Sequence, residues 1–314
     1  MNSRSVTQKL DRLVSIFTLA LLLWLPGQIQ AQNTQPINIV ATTGMIADLA
    51  KNIGGDSVTV TALMGTGVDP HLYKATQGDL RRILRADIIF YNGLHLEGKM
   101  QDIFEKIARK KPVYAISEKL SSKAIIHHGD HYPDPHIWFD VQLWQEAGKR
   151  VLEVLQKHDP KNASLYQQNS DRYQQKLTGL HQWVVKQVAR VPEQQRILIT
   201  AHDAFGYFGK AYDIEVMGLQ GISTAAEFGL QDIKALKDVI SQRNIKAVFV
   251  ESSVSPKFIQ SLVAGLQAEG KSLQIGGELY SDAMGPTGSS TDNYIGMVEH
   301  NVNTIVSALI GSKQ

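Results

Sequence analysis

The tripeptide Asp-Pro-His occurs twice, as Asp69-Pro70-His71 and as Asp134-Pro135-His136. Each copy sets an imidazole directly after a proline, whose ring fixes φ and restricts the residue before it. Such a frame aims a side chain. In the second copy the bulky Ile137, Trp138 and Phe139 follow, and Asp140 is a good N-cap for the helix VQLWQEAGKRVLEVLQ. Two more metal-capable residues complete a candidate set: His202 in TAHD and Asp282 in LYSDAMG. Three neutral imidazoles and a carboxylate suit a borderline divalent first-row ion, Zn²⁺ foremost, with Mn²⁺ and Fe²⁺ admissible. Ca²⁺ and Mg²⁺ prefer oxygen cages. The helical zinc motif H-E-x-x-H is absent, and the four candidates lie more than sixty residues apart. Taken singly, each has a plainer reading. His71 could be a loop or capping group, His202 a strand-end residue with Asp203 as the better cap, and Asp282 an N-cap or Asx turn. The doubled tripeptide favours ligation.

What could bring such distant residues together is a pair of similar folding units. INIVATTG reads as an apolar strand, MIADLAKNIGG as a helix with a glycine stop, and SVTVTALM as a strand rich in β-branched residues. The loop GTGVDPHLYKAT follows, then helix GDLRRILRA, strand DIIFYNG, helix KMQDIFEKIARK and strand PVYAIS. The same alternation returns from Arg196: RILITAHD, AFGYFGKAY, IEVMGL, LQDIKALKDVISQRN, KAVFVESS, PKFIQSLVAGLQAEG and KSLQIGGELY. Strands alternating with helices specify an α/β fold with parallel, helix-covered sheets. The expected division is a leader over 1–31, an N-terminal lobe over 32–160, a linking helix over 161–191 and a C-terminal lobe over 192–314. In the linking segment Leu165, Tyr166, Tyr173, Leu177, Leu180, Val184 and Val188 fall at helical spacing. Its ~30 residues would span roughly 45 Å and lie along both lobes. In open parallel sheets ligands bind beyond the carboxyl ends of the strands. All four candidates fall on that edge, two in each lobe.

Composition narrows the class. A hydrophobic fraction of 43% and a charged fraction of 20% are ordinary for a globular chain long enough for two domain-sized cores. Arg4, Lys9 and Arg12 precede the apolar run LVSIFTLALLLWLP and then GQIQA, the pattern of a secretory signal peptide cleaved after Ala31. Its removal takes three basic residues and one acidic residue, leaving 29 of each sign. Nothing in the charge balance of a neutral mature chain points to a nucleic-acid or anionic-membrane partner. Cysteine is absent, which excludes disulfides, thiolate metal sites and a Cys-linked lipid anchor.

Other candidates stand further out. His127, His128 and His131 form a short exposed cluster that could collect metal or be only polar loop. His95, after the third strand, could line the cleft, and Glu227 and Glu251 could orient a ligand imidazole or merely cap helices. His158, His181 and His300 fall on helices and read as surface residues. There is no P-loop, no G-x-S-x-G and no G-x-G-x-x-G. A metal-dependent hydrolase using a metal-bound water is the alternative reading; it would need an open coordination position and a nearby general base, for which Glu227 is the candidate.

At GVDPHLYKAT, DPHIWFDV, TAHDAFGYF, GLQGIST and LYSDAMG the chain resembles the metal-binding cluster A-I (cluster 9) solute-binding proteins of ABC transporters. The likeness runs from about Ile37 to the C-terminus. It implies two Rossmann-like lobes with parallel four-stranded sheets joined by one long backbone helix, with a metal in the interdomain cleft. It assigns His71, His136 and His202 to three histidine ligand positions and Asp282 to the carboxylate position. The implied function is capture of Zn²⁺ or Mn²⁺ as transported cargo, without catalysis, for an ABC permease with its cytoplasmic ATPase. His202, where manganese-linked relatives can carry Glu, tilts the reading toward zinc, whereas the short HHGDH loop weakens a zinc-only case. The expected protein is a free periplasmic monomer, and its affinity should fall below about pH 6.5, the ordinary imidazole value.

Overall fold

In the computed structural model the described residues are 35–128, 132–226 and 229–311; the leader expected over 1–31 lies outside them. Four strands of the first half, β1 (Ile37–Ala41), β2 (Val58–Ala62), β3 (Ile88–Tyr91) and β4 (Val113–Ala115), form one all-parallel sheet in the order β2-β1-β3-β4. Helices α1 (Gly44–Gly54), α2 (Gln77–Arg85) and α3 (Gln101–Ala108) cross between them. The apolar runs INIVA and IIFY suit strands covered on both faces by such crossovers. Thr76 and Asp79 make a capping box that starts α2.

The second half repeats the plan. Strand β7 (Ile197–His202) pairs in parallel with β8 (Glu215–Gln220), and β9 (Ala247–Glu251) with β10 (Gln274–Leu279). β7 lies beside β9, so the spatial order β8-β7-β9-β10 reproduces that of the first sheet. Helices α6 (Gly206–Tyr212), α7 (Leu230–Gln242), α8 (Lys257–Ala268) and α9 (Tyr294–Leu309) accompany these strands. No helix among the described residues is long and apolar enough to cross a membrane.

Between the halves run α4 (Val141–His158) and α5 (Ala163–Val188). Asp140 caps α4 as expected, accepting from the backbone N–H of Gln142 and of Leu143. The 26 residues of α5 extend about 39 Å and pack against α1 and α4 on one side of the chain and α6 and α9 on the other. Tyr166, Ser170, Tyr173, Leu177, Leu180, Val184 and Val188 make its buried stripe. Leu165, expected in that stripe, is instead 40% exposed, because it sits one position from Tyr166 and so about 100° around the helix.

Two further differences bear on function. The sequence allows two separate cores, yet one apolar cluster runs from Ile39 and Phe90 through Trp138, Tyr166 and Phe205 to Phe249 and Tyr294. Satellite clusters lie under the outer helices of each half. A continuous dry seam opposes wide hinge opening. The histidine-rich segment, expected to be loop, contains a short antiparallel pairing of β5 (His127–His128) with β6 (Tyr132–Pro133). His131 lies outside the described residues.

Candidate metal centre

Each candidate side chain leaves a strand end toward a common point. His71 follows β2, His136 follows the β5–β6 pairing, His202 is the last residue of β7, and Asp282 lies three residues beyond β10. All four are buried, with His136 and His202 fully so. One ligand atom from each lies within 4.8 Å of the others. His71 Nε2 stands 3.3 Å from His136 Nε2 and 3.8 Å from Asp282 Oδ2. Asp282 Oδ1 is 3.4 Å from His136 Nε2, and its Oδ2 is 3.4 Å from His202 Nε2. Donors held about 2.0–2.1 Å from a zinc ion stand roughly 3.3–3.4 Å apart in a tetrahedron. The spacing therefore fits one ion.

The unmet bonding points the same way. His202 Nε2 and both carboxylate oxygens of Asp282 are buried without a hydrogen-bond partner. Orphaned buried polar atoms cost about 1–3 kcal/mol each, more when charged, and a cation at their centre satisfies all three together.

Behind the donors stands a frame of acceptors. In both tripeptides the aspartate accepts the backbone N–H of its histidine, at 2.8 Å for Asp69 and His71 and 2.9 Å for Asp134 and His136. Asp134 Oδ1 also lies 2.7 Å from His136 Nδ1, turning Nε2 to the centre. Glu251 does the same for His202: Oε1 accepts the backbone N–H at 2.8 Å and Oε2 accepts from Nδ1. Glu251 is thus an orienting residue and not a helix cap. Gly218 on β8 leaves room for the backbone of Asp203, since a Cβ there would stand 2.3 Å from Asp203 N. Trp138 donates from Nε1 to the Ser281 carbonyl at 2.9 Å, and Tyr294 donates to the Trp138 carbonyl at 2.7 Å. The rigid segment after His136 therefore also places Asp282. Phe139 stacks on Phe205 with ring centroids 4.2 Å apart, sealing the first half against the second below the donors.

These surroundings polarise the quartet. Burial would depress His136, but the Asp134 and Asp282 carboxylates outweigh it and push the imidazole up to about 9. Burial is likewise outweighed at His202, where Glu251 and Asp282 hold the ring well above its ordinary value. His71 lacks a carboxylate on Nδ1, and burial pulls it down to about 4. Asp282 is held well below the ordinary carboxylate range: burial works against this, and His202 and His136 prevail.

The other histidines stand apart from the centre. His158 Nε2 lies 2.9 Å from Tyr114 OH, His181 Nδ1 3.3 Å from Tyr212 OH, and His300 Nε2 3.0 Å from the Glu278 carbonyl. His95 lines a cavity that reaches His71. Glu227 lies outside the described residues. Sequence reading did not single out Asp69 or Asp134 as orienting groups, although a carboxylate two residues before an imidazole was in plain view. Thr224, whose hydroxyl donates to Asp69 Oδ2 at 2.6 Å, lies in the GLQGIST motif but was not singled out as a partner of the site.

Residues 39–308 match the ZnuA family, described as the periplasmic component A of a zinc-uptake complex. The manganese-binding lipoprotein MntA of Bacillus subtilis (strain 168) is 47% identical over 276 residues, covering 88% of this chain and 90% of that protein. The zinc-binding protein TroA of Treponema pallidum (strain Nichols) is 47% identical over 271 residues, covering 86% and 88%. The solved structure of that periplasmic zinc-binding protein superposes with a TM-score of 0.86 over 87% of this chain and 99% of its own. With its fold and most of its length in common with these proteins, the chain belongs to the ZnuA family.

Proposed function

We propose that this protein captures a divalent transition-metal ion, Zn²⁺, Mn²⁺ or Fe²⁺, and surrenders it to an ABC permease energised by a cytoplasmic ATPase. His71, His136 and His202 supply nitrogen donors and Asp282 supplies the carboxylate. The observation that carries this reading is that His202 Nε2 and both Asp282 oxygens are buried without a hydrogen-bond partner where two further donors, from His71 and His136, converge. Nitrogen donors from three imidazoles favour zinc, and the Irving–Williams order places Zn²⁺ above Mn²⁺ at such a site. The relatives named above include a manganese binder and a zinc binder at the same 47% identity, so both ions belong in the assay.

Two lobes, 32–160 and 192–314, joined by a helix over 161–191 account for the chemistry. Two donors come from each lobe, so the ion bridges them and stabilises the closed form by mass action. The continuous aromatic seam and the length of α5 restrict the lobes to small tilting, and docking on the permease supplies the force that parts the donors. All four donors come from one chain, which supports a monomer. The 314 residues contain no cysteine for lipid attachment, which supports a protein free in the periplasm. A hydrolase would keep a coordination position open for water, whereas here four protein donors close the site, and the family is a binding component and not an enzyme.

Isothermal titration of metal-free protein tests the reading. One Zn²⁺ per chain is expected; His136→Ala should weaken binding by orders of magnitude and His300→Ala should leave it intact. Equal effects of the two substitutions would refute the assignment.

A further inference from the structure

A cavity of about 350 Å³ adjoins the quartet, lined by His71 and His95, by Pro133 and Pro135, and by Ile222 and Ser223. Its two sides therefore come from opposite halves of the chain. A second cavity, beside Asp282, carries Lys51, Asp48 and Asp292 in its wall but no imidazole.

The backbone that presents His95 is unusual. Gly93, Leu94 and His95 are three successive residues in the left-handed region, at φ of 82°, 53° and 65°. Glycine adopts this freely, and a Cβ at Gly93 would meet Ser117 Oγ at 2.6 Å. Leu94 and His95 carry a Cβ, which this conformation crowds against the following carbonyl. Buried Glu97 enforces it. Its carboxylate accepts the backbone N–H of Asn92 at 2.7 Å and of Gly93 at 3.3 Å, and the Thr42 hydroxyl at 2.7 Å. Asn92 Nδ2 in turn donates to the Pro135 carbonyl at 2.9 Å, locking the strained turn to the segment that carries His136. Strain maintained by a buried network beside a ligand site marks a conformation retained for use.

We propose that His95 is an access ligand: its exposed imidazole takes a hydrated divalent cation in this cavity and passes it to His71, after which the quartet closes. This rests on the metal-capture reading above and adds the route by which the ion arrives. A hydrated ion cannot shed all its waters at once, and an intermediate nitrogen donor divides that loss into steps. Because His95 is absent from the final quartet, it lowers the barrier in both directions and leaves the equilibrium unchanged.

Stopped-flow loading of metal-free protein with Zn²⁺, and its removal by a chromophoric chelator, provide the test. His95→Asn removes the imidazole and keeps a residue tolerant of the left-handed region, and His95→Gly relaxes the turn altogether. Association and dissociation rates should both fall by about tenfold, a barrier change of roughly 1.4 kcal/mol, with the dissociation constant as in the wild type. Wild-type rates in both variants would overturn the access role, as would a weakened dissociation constant at an unchanged association rate. Failure of the wild type itself to bind one Zn²⁺ per chain would instead overturn the capture reading.

Discussion

The Thr224 hydroxyl donates to Asp69 Oδ2 at 2.6 Å, and the other oxygen of Asp69 accepts the backbone N–H of His71 at 2.8 Å. A residue in the loop after β8 of the second half thus steadies a donor of the first. Thr224→Val keeps the shape and removes the bond. A hydrogen bond to a charged group is worth about 1.5–3 kcal/mol, so Zn²⁺ affinity should fall by roughly tenfold or more. Competition titration against a chelator reads it, and an unchanged constant would show that His71 is held without this bond.

Glu251 grips His202 through both carboxylate oxygens. Glu251→Gln keeps the volume, while its amide nitrogen faces one of the two N–H donors and the ring loses its anionic partner. Loss of an orienting carboxylate behind a ligand imidazole costs 10–100-fold in metal affinity, and the same titration should return a value in that range.

Protons compete with the metal for the imidazole Nε2 atoms, and this sets the pH response. His136, raised to about 9, is protonated in the metal-free protein at neutral pH, and His202 is raised in the same direction. Binding must expel these protons, so affinity rises with pH up to about 9 and falls as pH drops below it. His71, lowered to about 4, adds a further loss only in acid. The sequence-based expectation of a decline beginning near 6.5 belongs to a free imidazole, and the carboxylates behind the rings displace it upward. Titration at pH 8 in buffers of differing ionisation enthalpy should register release of about one proton or more per ion; no release would contradict the polarised quartet.

Asp140 caps α4 immediately after the Ile137–Phe139 turn. Asp140→Ala should lower the stability of the metal-free protein by about 1 kcal/mol, read as a shift in the urea midpoint at constant slope. An unchanged midpoint would mean that the aromatic packing alone starts the helix.

Much of this molecule is legible in the residues, and the limits have physical causes. The parallel strands announce themselves as short apolar runs, because crossovers cover both faces, and α5 as a stripe at period 3.6. His71 and His136 share a local frame that flags them directly. His202 and Asp282 have no such flag: they join the others only because two copies of one topology present their strand ends to each other. Thr224 and Trp138 are harder still, since their roles lie in long-range hydrogen bonds. Two-residue pairings such as β5 with β6 are too short to show a period, and composition cannot say whether two lobes share one core.

The central claim is that three imidazoles and one carboxylate, remote in sequence, ligate a single ion. X-ray absorption spectroscopy at the zinc edge of the loaded protein tests it most directly. The account predicts a first shell at about 2.0–2.1 Å with the multiple-scattering signature of three imidazole rings, reduced to two in His202→Ala. A shell of oxygens alone, or one unaltered by that substitution, would contradict it.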